Sequence, residues 1–364
     1  MYEKILKPIF FRMDPERAHD FVTGIGEWLG SFWFGRAIVR MACRYENVAL
    51  ETDVCGIHFK NPIGLGAGFD KDVRLTRIIP AVGFGFMEVG AITHLPYQGN
   101  DGLRLARLPA DQSLIVYYGL KNYGAAAVDA KLNRLKFEIP VGVNVAKTNN
   151  AEIKGDKSVK DYVATYRILA RRFAYVTLNV SCPNAQDGRT FQDPRMLNDL
   201  LRAIAQEKKY GPMFLKISSD LSVKEVDDIL AVIEKYPCVD GFVVANLMKK
   251  RNLFEFKSSA EFLNKIPEGG ISGRPMQQLS TDIIRHIYRV TKGKYVLVGL
   301  GGVFTAEDAY EKIKAGASLV QMVTGLIYGG PLVVKKINKG LVELLKKDGF
   351  EHVSQAVGTS GQRT

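Results

Sequence analysis

The chain has 364 residues, 46% hydrophobic and 24% charged, a balance that can bury a large core and excludes a disordered or collagen-like protein. Cys43, Cys55, Cys182 and Cys238 lie far apart with no C-x-x-C pair. That spacing excludes a zinc or iron–sulfur site and a disulfide-stapled secreted domain, so no metal is expected and the compartment is reducing. The formal charge of +12 favours anionic partners, but Lys and Arg are dispersed among glutamates without a binding motif, so nucleic acid is not expected.

The first 50 residues read as a small helical extension. Charges recur every few residues, and the apolar run Ile9-Phe10-Phe11 is too short to span a membrane. Asp14 suits an N-cap, Pro15 the first helical position and Glu16 the positive end of the helix dipole. Ala18, Phe21, Val22, Ile25, Trp28 and Leu29 then recur at helical spacing. This stripe has two readings: it docks on the rest of the protein, or it belongs to a two-helix cap with an apolar mouth at a membrane surface.

From residue 51 to 350, eight short apolar runs alternate with helix-like segments: 63–69, 84–89, 141–146, 175–180, 213–217, 242–246, 295–300 and 319–323. Between them, 159–173, 196–208, 223–236, 281–290 and 306–315 carry apolar residues at helical spacing. Eight such parallel units predict an α/β fold, a (β/α)8 TIM barrel. The connection 91–139 is too long for an ordinary loop and is a candidate functional segment. Residues 351–364 read as a polar tail.

Barrels of this kind carry their chemistry at the carboxyl ends of the strands. After the first run comes Gly66-Ala67-Gly68-Phe69-Asp70-Lys71-Asp72, small residues that let a flat ligand approach the backbone and a lysine that can meet its edge. Gly299-Leu300-Gly301-Gly302 and Val323-Thr324-Gly325 end the seventh and eighth runs, where bare backbone N–H groups suit phosphate. Lys216 is embedded in an apolar run, so it faces an anion or an electron-rich cofactor, loses its charge, or snorkels to solvent. Asn179-Val180-Ser181-Cys182-Pro183-Asn184 offers amides for a polar planar substrate. Its thiol can act as general base or nucleophile, or fill space as a small hydrophobe.

The segments FKNPIGLGAGFDKD, GND…LRLARL, GVNVAK, NVSCPN, LKISSDL, GGISGRP, GLGGV and AGASLVQMVTG together resemble the dihydroorotate dehydrogenases, flavin mononucleotide (FMN) enzymes on a (β/α)8 barrel. The likeness runs from about residue 5 to 348, and the DPERAH helix resembles the class 2, quinone-using, membrane-associated branch. It implies that Ala67, Gly68, Lys71, Asn144, Asn179, Lys216, Gly273, Gly301, Gly302, Thr324 and Gly325 hold FMN. Asn179, Asn184, Asn246 and Lys71 would hold the substrate, Cys182 would be the catalytic base, and His19 and Arg107 would belong to the quinone site.

Several positions depart from the pattern. Cys182 stands where class 2 members have Ser and class 1 members Cys. The family's I-N-R-x-G-F-N reads Ile115-Val116-Tyr117-Tyr118-Gly119-Leu120-Lys121, which replaces an Asn by Val116 and an aromatic by Leu120. T-N-T-T reads Ala245-Asn246-Leu247-Met248, and a Tyr of the acceptor pocket is Val323. The resemblance implies oxidation of dihydroorotate to orotate in pyrimidine biosynthesis, with electrons passed to a quinone. The protein would be a monomer touching the membrane through residues 1–45, at the cytoplasmic face of the inner membrane, or cytoplasmic. Two alternatives are a divergent FMN oxidoreductase of another cyclic amide or enone, and a non-catalytic, membrane-docked flavin binder.

Overall fold

The computed structural model describes residues 2–181 and 190–361. Each of the eight runs overlaps a strand: β1 (Ile63–Leu65), β2 (Phe86–Ile92), β3 (Val141–Val145), β4 (Tyr175–Asn179), β5 (Met213–Ser218), β6 (Gly241–Asn246), β7 (Val296–Leu300) and β8 (Leu319–Met322). All pair in parallel with their sequence neighbours, and β8 pairs with β1 through Val320 and Ile63 to close the barrel. Such strands are covered on both faces, which is why they read as continuous apolar runs; every residue of β3, β4 and β5 is buried. β1 stops at Leu65, short of its apolar run, because Gly66-Ala67-Gly68 leaves the ladder, with Gly68 at φ +104°.

Helices at 156–169, 194–204, 223–233, 277–291, 306–315 and 333–347 coat the outside of the barrel. Two begin at reciprocal capping boxes, Ser222 with Glu225 and Thr305 with Asp308, which satisfy the first N–H groups and fix where each loop ends.

The connection 91–139 is not a plain loop. It contains strands Leu105–Leu108 and Ser113–Val116 and a helix, Ala125–Leu132. The two strands join Gly270–Gly273 in a second, antiparallel sheet, with Val116 opposite Gly270 and Ser113 opposite Gly273. At the other end of the barrel, strands Thr52–Val54 and Ile57–Phe59 form a hairpin whose turn residues Cys55 and Gly56 have φ of 51° and 76°. These are the positive angles of the turns that match strand twist. Val54 and Phe59 plug the barrel floor against Phe86, Tyr175, Phe214 and Val243.

The extension holds helices α1 (Lys7–Arg12), α2 (Pro15–Ser31) and α3 (Trp33–Cys43). Asp14 caps α2 by accepting from the N–H groups of Glu16 and Arg17, at 3.1 and 2.9 Å. The apolar stripe divides. Ala18 is buried and Leu29 packs on the core, while Phe21, Val22, Ile25 and Trp28 face outward. On α3, Trp33 and Met41 are 75% and 80% exposed. Close docking of α2 relies on small residues: a Cβ on Gly30 would meet Ile78 at 3.3 Å. Among the described residues no helix is long and apolar enough to cross a membrane. In the stretch read as a polar tail, Val353 and Ala356 are buried and join the main core.

Candidate active site

A cavity of about 1300 Å3, counting the solvent at its mouth, opens at the carboxyl ends of the strands. Beneath it stands Glu88 of β2, fully buried. It accepts from Asn144 Nδ2 of β3 at 2.7 Å, Thr177 Oγ1 of β4 at 2.9 Å and Gln321 Nε2 of β8 at 3.0 Å. A buried carboxylate persists only when so satisfied. The arrangement fixes the amide of Asn144, whose Oδ1 is buried with no hydrogen-bond partner among the described residues and which lines the cavity.

Ala67 and Gly68 line one wall, and a Cβ added to Gly68 would meet nothing within 4 Å, since it would project into open space. Gly301, Gly302, Thr324 and Gly325 line the wall at the ends of β7 and β8, with Gly273 beside them. Among the described residues, the N–H groups of Gly301, Gly302, Thr324 and Gly325 donate to no acceptor. A side chain is excluded at Gly325, where Cβ would lie 2.0 Å from the Val303 carbonyl oxygen, and at Gly273, 2.3 Å from that of Gln112. The Thr324 hydroxyl lies 2.8 Å from that of Ser272.

Lys216 reaches the cavity from β5 and is 4% exposed, so it does not run out to solvent. Asn179 and Asn246 line the cavity as well and form a triangle with Ser181. Asn246 Nδ2 donates to Asn179 Oδ1 at 3.3 Å and to Ser181 Oγ at 3.0 Å, and Ser181 Oγ donates to Asn179 Oδ1 at 3.2 Å. Cys182 and Asn184 lie outside the described residues.

The remaining wall comes from α2 and the segment after Ser113–Val116. Lys71 lies with its ammonium 4.0 Å from the centre of the Tyr118 ring, and burial together with the charge of Lys121 pulls its pKa down to about 8. His19 reaches the cavity from α2, edge-on to Phe69. Burial, then Lys71, Arg74 and Lys121, pull its pKa down to about 3, so its imidazole is neutral at physiological pH. Arg107 does not join it: its guanidinium donates to the Met13 carbonyl at 2.9 Å and sits over Phe11. Val116, Leu120, Leu247 and Val323 all line the cavity.

Fold and cavity fit one class of protein, a (β/α)8 barrel built around a phosphate-bearing, planar cofactor. The unpaired amides at β7 and β8 suit the phosphate, and the bare wall at Gly68 with the orphaned Asn144 oxygen suits the ring. A family model described as dihydroorotate dehydrogenase matches residues 49–345. The chain belongs to the dihydroorotate dehydrogenase family, whose members carry a flavin.

Among its relatives, a protein of Acidithiobacillus ferrooxidans named dihydroorotate dehydrogenase (quinone) is 37% identical over 98% of this chain and 99% of the relative. One of the same name from Natronomonas pharaonis is 38% identical over 98% of each. The crystal structure of ligand-free dihydroorotate dehydrogenase from Eimeria tenella superimposes with a TM-score of 0.83 at 29% identity, covering 96% of this chain and all of that one.

Sequence reasoning missed the Glu88–Asn144–Gln321 group and the contribution of Tyr118 and Lys121. The signal for Glu88 was there: a lone carboxylate in the apolar run FMEVGAI, which can be buried only beside several donors.

Proposed function

We propose that this chain is an FMN-dependent dihydroorotate dehydrogenase that oxidises dihydroorotate to orotate and delivers the electrons to a quinone. The observation that carries the reading is one cavity combining unpaired glycine amides, the orphaned Asn144 oxygen, buried Lys216 and the Asn179–Asn246 pair. Ala67, Gly68, Asn144, Asn179 and Lys216 would hold the flavin ring, and Gly273, Gly301, Gly302, Thr324 and Gly325 its phosphate end. The chemistry supplied by bound FMN is reversible acceptance of two electrons.

The chain's own residues do the rest. Asn179, Asn184 and Asn246 orient the substrate through its amide edge, and Lys71 meets it from the loop that follows β1. Cys182 would take the proton from ring carbon C5 while the hydride of C6 goes to the two-electron acceptor that bound FMN would supply. A free thiol ionises near pH ~8.5 and a hydroxyl far higher, so Cys182 needs less activation than serine. Lys216, buried at the cavity wall, would hold the flavin ring, where its ammonium would favour the negative charge the ring gains with two electrons. His19, with the apolar residues Leu105, Leu114, Val323 and Ile327 of the cavity wall, supports a quinone approaching from the side of α2.

Anaerobic dihydroorotate is expected to bleach the flavin of the purified protein, and a quinone analogue to restore its colour. A yellow, FMN-loaded protein unbleached by dihydroorotate would overturn this reading. Flavin reoxidation by another cyclic amide or enone would then identify the divergent alternative.

Residues 1–50 form the membrane-facing extension of this proposal, and residues 51–350 the catalytic barrel of a monomer held peripherally at the cytoplasmic face of the inner membrane. Phe21, Trp28, Trp33, Ile38 and Met41 support it, because they expose large apolar side chains on α2 and α3 beside cations such as Arg17 and Arg36. Replacing both Trp33 and Met41 by Asp is expected to reduce co-sedimentation with anionic vesicles at least about tenfold, given the apolar area lost. Flavin content should not change; undiminished vesicle binding would exclude this face.

A further inference from the structure

We propose that Lys121 is a specificity-determining residue of this site, binding the carboxylate of the substrate jointly with Lys71 where Val116 offers no hydrogen bond. The inference rests on the dehydrogenase reading above and adds a residue to it.

Three apolar side chains, Val116, Leu120 and Leu247, face the cavity, so an anionic substituent placed among them finds no partner. The chain then turns sharply, with Gly119 and Leu120 both at φ +68°, and this bend brings Lys121 to the cavity wall. Lys71 faces the same space from the loop that follows β1. Its ammonium forms no ion pair with a described residue and lies over the Tyr118 ring. Both lysines line this one cavity, and after burial the charge of Lys121 is the main influence depressing Lys71. Like charges held around a cavity are relieved by an anion between them.

The neighbouring carboxylates are already engaged. Glu16 of α2 takes two hydrogen bonds from Arg104, at 3.1 and 2.5 Å, and a long third one from the Lys121 ammonium at 3.4 Å. Asp70 accepts from the N–H groups of Arg74 and Leu75, and Asp72 from that of Tyr123. Asp20 adds charge near Lys71 without bonding to it. Among the described residues, the N–H groups of Tyr118, Gly119, Leu120 and Lys121 donate to no acceptor, so the same rim carries further donors. This is a place for one small anion at the edge of a flat ring whose other edge meets Asn179 and Asn246.

The test uses FMN-loaded full-length protein and three variants: Lys121→Met, Lys121→Arg and Val116→Asn combined with Lys121→Met. Orotate affinity is read from perturbation of the flavin spectrum, with uracil, the same ring without the carboxylate, as the comparison ligand. Lys121→Met is expected to weaken orotate about 10- to 100-fold, the loss of one charge-assisted hydrogen bond, while changing uracil affinity less than about twofold. With dihydroorotate, KM rises more than kcat falls. Lys121→Arg keeps the charge and most of the affinity, and the amide introduced by Val116→Asn restores part of what Lys121→Met loses.

Orotate binding to the wild type should fall as pH rises through about 8, because Lys71 is a cation below that pH and neutral above it. Lys121→Met moves this fall to higher pH by removing the like charge. Glu16, Asp20, His19, Asp70, Asp72, Arg74 and Arg104 remain around the pair in every variant. Folded Lys121→Met with orotate affinity and pH midpoint unchanged overturns the proposal while leaving the dehydrogenase reading intact. Wild type that is neither bleached by dihydroorotate nor perturbed by orotate overturns both.

Discussion

Cys182→Ala is expected to slow reduction of the flavin by dihydroorotate by about a hundred- to ten-thousand-fold, the range for removal of a positioned general base. FMN should stay bound, because all the residues proposed to hold it except Asn179 come from strands other than the one before Cys182. The measurement is anaerobic stopped-flow bleaching, with flavin content determined on the same preparation. Cys182→Ser restores a group able to accept the proton, but one needing a much larger drop in pKa, so its rate should fall between those of wild type and alanine at neutral pH. An alanine variant bleached as fast as wild type would remove Cys182 from the chemistry and favour a flavin binder without this turnover.

Glu88→Leu is expected to cost roughly 3–5 kcal/mol, since it strands the donors of Asn144, Thr177 and Gln321 in a place water does not reach. At about 2 °C per kcal/mol for a chain of this size, melting falls by roughly 6–10 °C. The flavin should be released at lower temperature as well, because the orientation of Asn144 depends on Glu88. Thermal melting followed by flavin fluorescence reads both effects. A variant melting within about 2 °C of wild type would show that the three donors find other acceptors and that Glu88 is not what organises the barrel interior.

The barrel was legible because parallel strands buried on both faces leave uninterrupted apolar runs, and because capping residues mark helix starts. The helix at 306–315 matches its expected bounds to the residue, behind the Thr305–Asp308 box. The second sheet was not legible. LARL and SLIV are four residues each, and GISG carries two glycines that mask its strand character. The floor hairpin hid in the same way, its signal being a single two-residue turn at Cys55-Gly56.

In the cavity, residues at strand ends could be placed from the barrel rule alone, which gave Lys71, Lys216 and the glycines of β7 and β8. The direction of Arg107 could not. It sits on a four-residue strand outside the barrel, and only the position of Met13 and Phe11 decides that its guanidinium turns to the extension. Lys121 was equally hidden, since its approach to the cavity depends on consecutive left-handed residues at Gly119 and Leu120.

The small antiparallel sheet over the cavity has a consequence for how the molecule assembles. Its central strand must wait for a partner on the far side of β6, Val116 for Gly270, whereas β3 and β4 pair on both sides with the barrel strands next to them in the chain. Loop-closure entropy makes so distant a pairing late and weakly rewarded. Backbone amides at 113–116 and 270–273 should therefore exchange with deuterium sooner than those of β3 or β4, and a tightly held coenzyme should slow them most. The roof of the chamber is then the portion of the polypeptide whose order depends on what the chamber contains.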